Sequence, residues 1–223
     1  MLLAIDTSTR NIGIAIYDGI QVLCENTWAS HDYHTIELSP AIAETLARVK
    51  LGMQDIKLLA VATGPGSFTG LRIGLAVAKG IALARHLPMI GIPTLDIVAE
   101  SQPVSPGFAL AAVLQAGRGR LAVGWYAVSD GRWVPHPPIE VMDALKLSRL
   151  IHEPTIVCGE LTEEQQHTLA RKYKNVILAS PAHSIRRPAL LAELAWKRWQ
   201  SGEIDDPATL SPSYLHLGEP IPE

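Results

Sequence analysis

Twice along this chain, three short strands come in succession and then give way to alternating helix and strand. Residues 2–5, 13–17 and 20–25 carry the short apolar runs of strands, and Asp18-Gly19 is the dipeptide of a tight hairpin turn. A helix over 35–50 follows, with Leu38, Ile42, Leu46 and Val49 on one face. Pro40 either opens that helix behind Ser39 or is tolerated inside it as a kink. Next come a strand over 58–62, a helix over 71–86, a strand over 89–92 and a short helix over 94–101. The order restarts beyond Pro103 and Pro106 with strands over 108–115, 121–128 and 133–135 and a second hairpin at Asp130-Gly131. Helices over 143–151, 162–174 and 188–200 then alternate with strands over 155–158 and 176–179. This order predicts an α/β fold of two lobes, each a mixed sheet, antiparallel at its start and parallel afterwards, flanked by helices. The expected division is 1–103 and 104–223, with a cleft between the lobes and an extended tail from Asp205.

Composition limits what such lobes can do. A chain of 223 residues that is 48% hydrophobic and 18% charged has the apolar material for buried cores and lacks the polarity of a disordered protein. A net charge of -3 argues against a protein that grips nucleic acid over a broad surface by itself. No apolar run approaches the roughly 18 residues of a membrane span. The start at Met1 has neither a basic lead-in nor a cleavage-like site, so no secretory leader is expected. Cys24 and Cys158 stand far apart without metal or redox spacing and read as buried thiols. A cytoplasmic protein is expected.

Two segments hold residues suited to chemistry. The first is Asp6, Thr7, Ser8 and Thr9, at the turn leaving the first strand. Hydroxyls and backbone N–H groups at a tight turn suit phosphate oxygens, and a strand-end carboxylate suits a hydrated divalent cation. The alternative is that these side chains only satisfy the turn. The second is the loop of Gly64, Gly66, Ser67, Thr69 and Gly70 between a strand and a helix, where glycines admit a close backbone approach and the helix N-terminus favours an anion. Its spacing is neither a Walker A loop nor a dinucleotide fingerprint. His31 and His34 are three apart across a helix start and do not form a metal pair, and no catalytic set stands out. Trp196 and Trp199 read as packing, and Arg171-Lys172 and Arg186-Arg187 as solvated charge runs.

The helix over 71–86 predicts a partner. Arg72, Lys79 and His86 form one narrow stripe, and nearly every other position is apolar or small. A helix packed only on its own sheet needs less apolar surface than that. Leu71, Gly74, Leu75, Ala78 and Ala82, with Ile36, Ala43 and Ala47 of the preceding helix, are therefore the candidate interface, the alternative being burial inside one lobe. Arginine at Ala78 or Ala82 is expected to break pairing without unfolding the lobe. With no other chain present, the same surface suits a homodimer.

The run from Gly64 to Gly74, with Leu3 to Ser8 upstream, resembles the TsaB (YeaZ) family of tRNA threonylcarbamoyladenosine biosynthesis proteins. The likeness extends through His34-Thr35, the run ending at Gly91 and Thr94-Leu95, and thins after about residue 105, where Gly119 to Tyr126 and the Pro212-Ser213-Tyr214-Leu215 stretch remain similar. What the resemblance implies is an actin-like, ribonuclease-H-like fold and a subunit without independent catalysis. It implies pairing with a larger TsaD-like paralogue that performs the threonylcarbamoyl transfer, a TsaE-like P-loop ATPase as a further partner, and contact with tRNA only through the complex. As to cofactors, it implies at most weak ATP or ADP with Mg²⁺. Gln115, where the family has an acidic residue, and His216, where arginine is commoner, depart from the pattern and weaken the case for a complete nucleotide site. An independent small ATPase or kinase using the Asp6 turn and the glycine loop is the alternative; a metal-dependent peptidase is a third reading.

Overall fold

The computed structural model describes residues 1–30, 34–171 and 174–215. His31, Lys172 and His216, singled out in the sequence, lie outside these described residues. The first sheet has the order β3-β2-β1-β4-β5, from β1 (Leu2–Asp6), β2 (Asn11–Tyr17), β3 (Val22–Ala29), β4 (Leu58–Gly64) and β5 (Met89–Pro93). The second repeats the pattern as β10-β9-β6-β7-β8, from β6 (Ala109–Gln115), β7 (Leu121–Ser129), β8 (Arg132–Met142), β9 (Thr155–Gly159) and β10 (Val176–Leu178). In both sheets the first three strands in sequence pair antiparallel and the later ones parallel. The expected mixed topology is present in each half.

Strand β1 explains the layering. It lies between β2 and β4 and is buried on both sides, so successive side chains must find cover on opposite faces. Leu3 and Ile5 meet Leu38, Ile42 and Leu46 of α1 (His34–Arg48) and Leu75, Ala78 and Ala82 of α2 (Phe68–Arg85). Leu2 and Ala4 point the other way, to Leu191, Ala192 and Ala195 of α6 (Pro188–Gln200). On the second sheet α4 (Ala144–Leu150) and α5 (Glu163–Ala170) cover one face, while Leu95, Val98 and Ala99 of α3 (Thr94–Glu100) cover the other.

Packing therefore does not follow the sequence division at Pro103. The inner face of each sheet is apolar and takes its cover from a helix on the far side of that division: α3 goes chiefly to the second sheet, and α6 returns to the first. Several boundaries also differ from expectation. Strand β8 runs eleven residues instead of three, through Pro135, Pro137 and Pro138, because an edge strand can spare N–H donors on its open side. Helix α1 starts at His34 and continues through the exposed Pro40. Helix α2 starts at Phe68, where the Ser67 hydroxyl caps the Gly70 amide. Trp196 packs edge-on against Tyr17 and beside Trp199, as expected of packing residues. Cys158 is buried, which pushes its thiol up to about 12, and Cys24 is half-buried; both are free.

A polar contact ties α3 to β7. The Tyr126 hydroxyl donates to Asp96 Oδ1 at 2.6 Å. Burial raises the Asp96 carboxyl above the usual range, opposed by the Tyr126 hydrogen bond and aided by the charge of Glu100. A carboxyl raised in the folded state supports folding below its unfolded pKa, and that support is lost as pH rises through the folded value. Asp96→Asn is accordingly expected to melt at a higher temperature than wild type at neutral pH. The gap should close toward about pH 4; thermal melts across that range check it.

Candidate functional site

The Asp6 turn and the glycine loop do come together, at the floor of the cleft between the sheets. Ser67 N donates to the Ser8 carbonyl at 2.6 Å, and the Thr7 hydroxyl donates to the Gly70 carbonyl at 2.7 Å. These contacts account for the glycines. A Cβ on Gly66 would lie 2.1 Å from the Ser8 carbonyl oxygen, and one on Gly70 would lie 2.2 Å from that of Thr7. At Gly74 a Cβ would meet the Thr7 hydroxyl at 2.2 Å. Gly64, at φ +111°, faces the Ser213 carbonyl of the tail, which runs back along the first sheet through a Ser213 N to Thr63 carbonyl bond of 2.7 Å. The loop is glycine-rich because other parts of the chain press against it.

Asp6 is equally committed. Its Oδ1 accepts from Ser8 N at 2.8 Å and from the Ser8 hydroxyl at 2.5 Å. Its Oδ2 accepts from Arg186 Nε at 2.9 Å. Arg186 also donates through Nη1 to Glu160 Oε1 at 2.5 Å, and through Nη2 to the Thr9 hydroxyl oxygen at 2.6 Å. The Thr9 hydroxyl in turn donates to Glu160 Oε1 at 2.7 Å. The buried guanidinium is held charged: desolvation opposes the charge, and Asp6 and Glu160 outweigh it.

Where phosphate or cation contacts are expected at Asp6, Thr7, Ser8 and Thr9, these side chains hold protein partners, and Thr9 also lines the cleft. A divalent ion at Asp6 would sit against a fully buried guanidinium, and the turn's hydroxyls already have partners. The Cα hydrogens of Gly64, Gly66 and Gly70 face protein carbonyls, while Gly66 also lines the cleft. Only Ser67 and Thr69 of the loop are exposed among the candidate contacts. Mg²⁺ with a nucleotide therefore does not fit the Asp6 turn. His34 lies beside the same turn with Nε2 3.0 Å from the Thr9 carbonyl, where the Nε2–H tautomer donates. Gln115 braces the second lobe, its amide donating to the Glu160 carbonyl at 2.9 Å and to Gln165 Oε1 at 2.7 Å.

Arg186 is the residue the sequence reading missed. A signal existed: Arg186 and Arg187 stand at the N-terminal end of α6, where the helix dipole disfavours a cation, so each needs a carboxylate. Arg187 finds Glu25, with Nη2 2.5 Å from Oε2, and Glu25 also accepts from Ala189 N.

Above this floor the cleft encloses about 1100 Å³. Its walls are mainly apolar, from Pro65, Phe68, Leu114, Ala116, Ala122 and Leu215, with Thr9, Arg10, Asn11, Ser67, Gln115 and Glu160 as polar points. Phe68 and Tyr214 stack at its rim with ring centres 4.9 Å apart, and Arg72 Nε donates to the Tyr214 hydroxyl at 2.7 Å.

The candidate interface divides. Leu71, Gly74, Leu75, Ala78 and Ala82 are buried between α2 and its own sheet, so they are core, not surface. Ile36, Ala43 and Ala47 are exposed, as are Gly80 and Leu83, the last at 72%. Between α1 and α2 runs an apolar groove of about 430 Å³, lined by Ile42, Ala43, Leu46, Ala47, Val77 and Ile81. Among the described residues no helix is long and apolar enough to cross a membrane.

Known proteins match this chain in sequence and in fold. The family described as "TsaD: tRNA N6-adenosine threonylcarbamoyltransferase" matches residues 22–185. The tRNA threonylcarbamoyladenosine biosynthesis protein TsaB of Bacillus subtilis is 29% identical over 98% of this chain and 95% of its own length. The chain belongs to the TsaB (YeaZ) family. TsaB of Escherichia coli is 38% identical over 99 residues, 44% of this chain and 42% of that relative. YeaZ from Pseudomonas aeruginosa superposes with a TM-score of 0.74 at 21% identity, covering 96% of this chain and 99% of that one. The ROK hexokinase of Thermus thermophilus superposes at TM-score 0.50 and 11% identity over 90% of this chain and 99% of that one. The TsaB-type chain thus shares the two-lobed actin-like fold.

Proposed function

We propose that this chain is a subunit required to form threonylcarbamoyladenosine in tRNA beside the anticodon, without catalysis of its own. In this reading it pairs with a TsaD-like paralogue that carries out the transfer and is joined by a TsaE-like ATPase. It self-pairs when alone, reaches tRNA only through the complex, and works in the cytoplasm. The observation that carries the reading is the closure of the Asp6 turn by Arg186 in a chain of this family, which leaves no free carboxylate pair on the cleft floor among the described residues. The outer face of α1 and α2 supports pairing, with Ile36 67% exposed beside the apolar groove.

The test is the threonylcarbamoyladenosine content of cellular tRNA, read by nucleoside mass spectrometry as the protein is depleted and restored. The modified nucleoside should fall with the protein and return with it. An unchanged level in depleted cells would overturn the assignment. Turnover of ATP by the purified chain alone, abolished in Asp6→Ala, would overturn the non-catalytic part.

A further inference from the structure

Segments far apart in the chain meet at Arg186. Asp6 and Thr9 leave the first sheet at the end of β1, Glu160 follows β9 of the second sheet, and Arg186 precedes α6. The Arg186 and Asp6 side chains are 2% and 3% exposed, and Glu160 is 23% exposed on the cleft side. One guanidinium therefore holds a carboxylate from each lobe, and the Thr9 hydroxyl adds a direct bond across to Glu160.

We propose that Arg186 is an inter-lobe lock, an internal cation that fixes the cleft at one opening. Two features make this more than a satisfied buried arginine. First, the cluster lies at the base of a cleft of about 1100 Å³ whose walls come from both lobes, so a bond here acts on the cleft's opening. Second, the cluster stands on the cleft side, apart from the α3 side, where Leu95, Val98 and Ala99 pack under the second sheet and Asp96 accepts from Tyr126. Opening the cleft pulls Glu160 from Arg186 and from the Thr9 hydroxyl, so both bonds oppose it. The lock keeps the α1–α2 face and the second lobe in a constant relation. It holds whichever partner the chain has, so its failure and that of the proposed function are separate.

The experiment is a distance measurement on the full chain by pulsed electron paramagnetic resonance. Spin labels go on Gln200→Cys of α6 and Arg149→Cys of α4, in a Cys24→Ala background with excess unlabelled chain. The parent should give one narrow distance distribution. Glu160→Ala removes the second-lobe arm while Asp6 still pairs with Arg186, and should broaden the distribution and shift it to longer distance. Arg186→Met should do the same where circular dichroism shows a folded chain; if it does not fold, Glu160→Ala decides alone. A Glu160→Ala distribution identical to the parent's, or a parent distribution already broad, would overturn the proposal.

Discussion

Arg186→Met lowers the unfolding free energy by about 3–5 kcal/mol, the loss expected when one member of a buried ion pair is removed. The methionine fills much of the volume left by the arginine stem, so the cost is electrostatic more than steric. Asp6 keeps its two bonds from Ser8 but loses the Nε donor to Oδ2, and it is 2% exposed, so water does not replace that donor. Glu160 is better placed, because its side chain reaches the cleft. Glu160→Ala on its own should therefore cost about 1 kcal/mol, in the range of a single hydrogen bond to a partly solvated group. The two changes should not add: in the Arg186→Met background Glu160 has already lost its cationic partner, and the coupling should be about 1 kcal/mol. Urea unfolding of the four proteins closes this cycle. Additive losses would mean that Arg186 and Glu160 do not act as one unit.

The parts of this molecule that were legible are those governed by local pattern. Strand β1 announces itself as a short apolar run, and the Asp18-Gly19 turn closes the β2–β3 hairpin with the Asp18 carboxylate accepting from the amides of Ile20 and Gln21. The doubled strand order then follows, because each hairpin must hand over to crossover helices. What was not legible depends on which distant surfaces meet. Nothing in the sequence of α6 says that Leu191 will lie on Leu2 instead of on the sheet preceding it in the chain. The strand expected over 133–135 runs on to Met142 as β8, because its edge position permits the prolines that follow. The glycine loop was recognised as a place of close backbone approach. The identity of what approaches, the Thr7 and Ser8 carbonyls, is a tertiary fact that spacing does not encode. Arg186 reads as one of two equivalent arginines, yet 5% exposure sets it apart from its neighbour.

Ala47→Arg is expected to abolish pairing and leave the fold intact, whereas Ala78→Arg is expected to unfold the first lobe. The two alanines look alike in sequence, each on a helix with apolar residues on more than one side. Ala47 is exposed beside the groove between α1 and α2, and nothing lies within 4 Å of a Cβ built on the neighbouring face at Gly80. An arginine at Ala47 can extend into water in the free chain, so stability should stay within about 0.5 kcal/mol of wild type. A partner seated on the groove would have to bury that charge without a counter-charge, which no interface tolerates cheaply. Ala78 is 0% exposed, packed with Leu75 and Ala82 against Leu3 and Ile5. Its replacement by arginine must desolvate a charge and overfill the core at once, a loss beyond about 4 kcal/mol. Light scattering for mass and thermal melting for stability separate the two. A dimer mass retained by Ala47→Arg would remove the α1–α2 face as the docking surface. A normally folded Ala78→Arg chain would mean that α2 does not lie on its sheet as described.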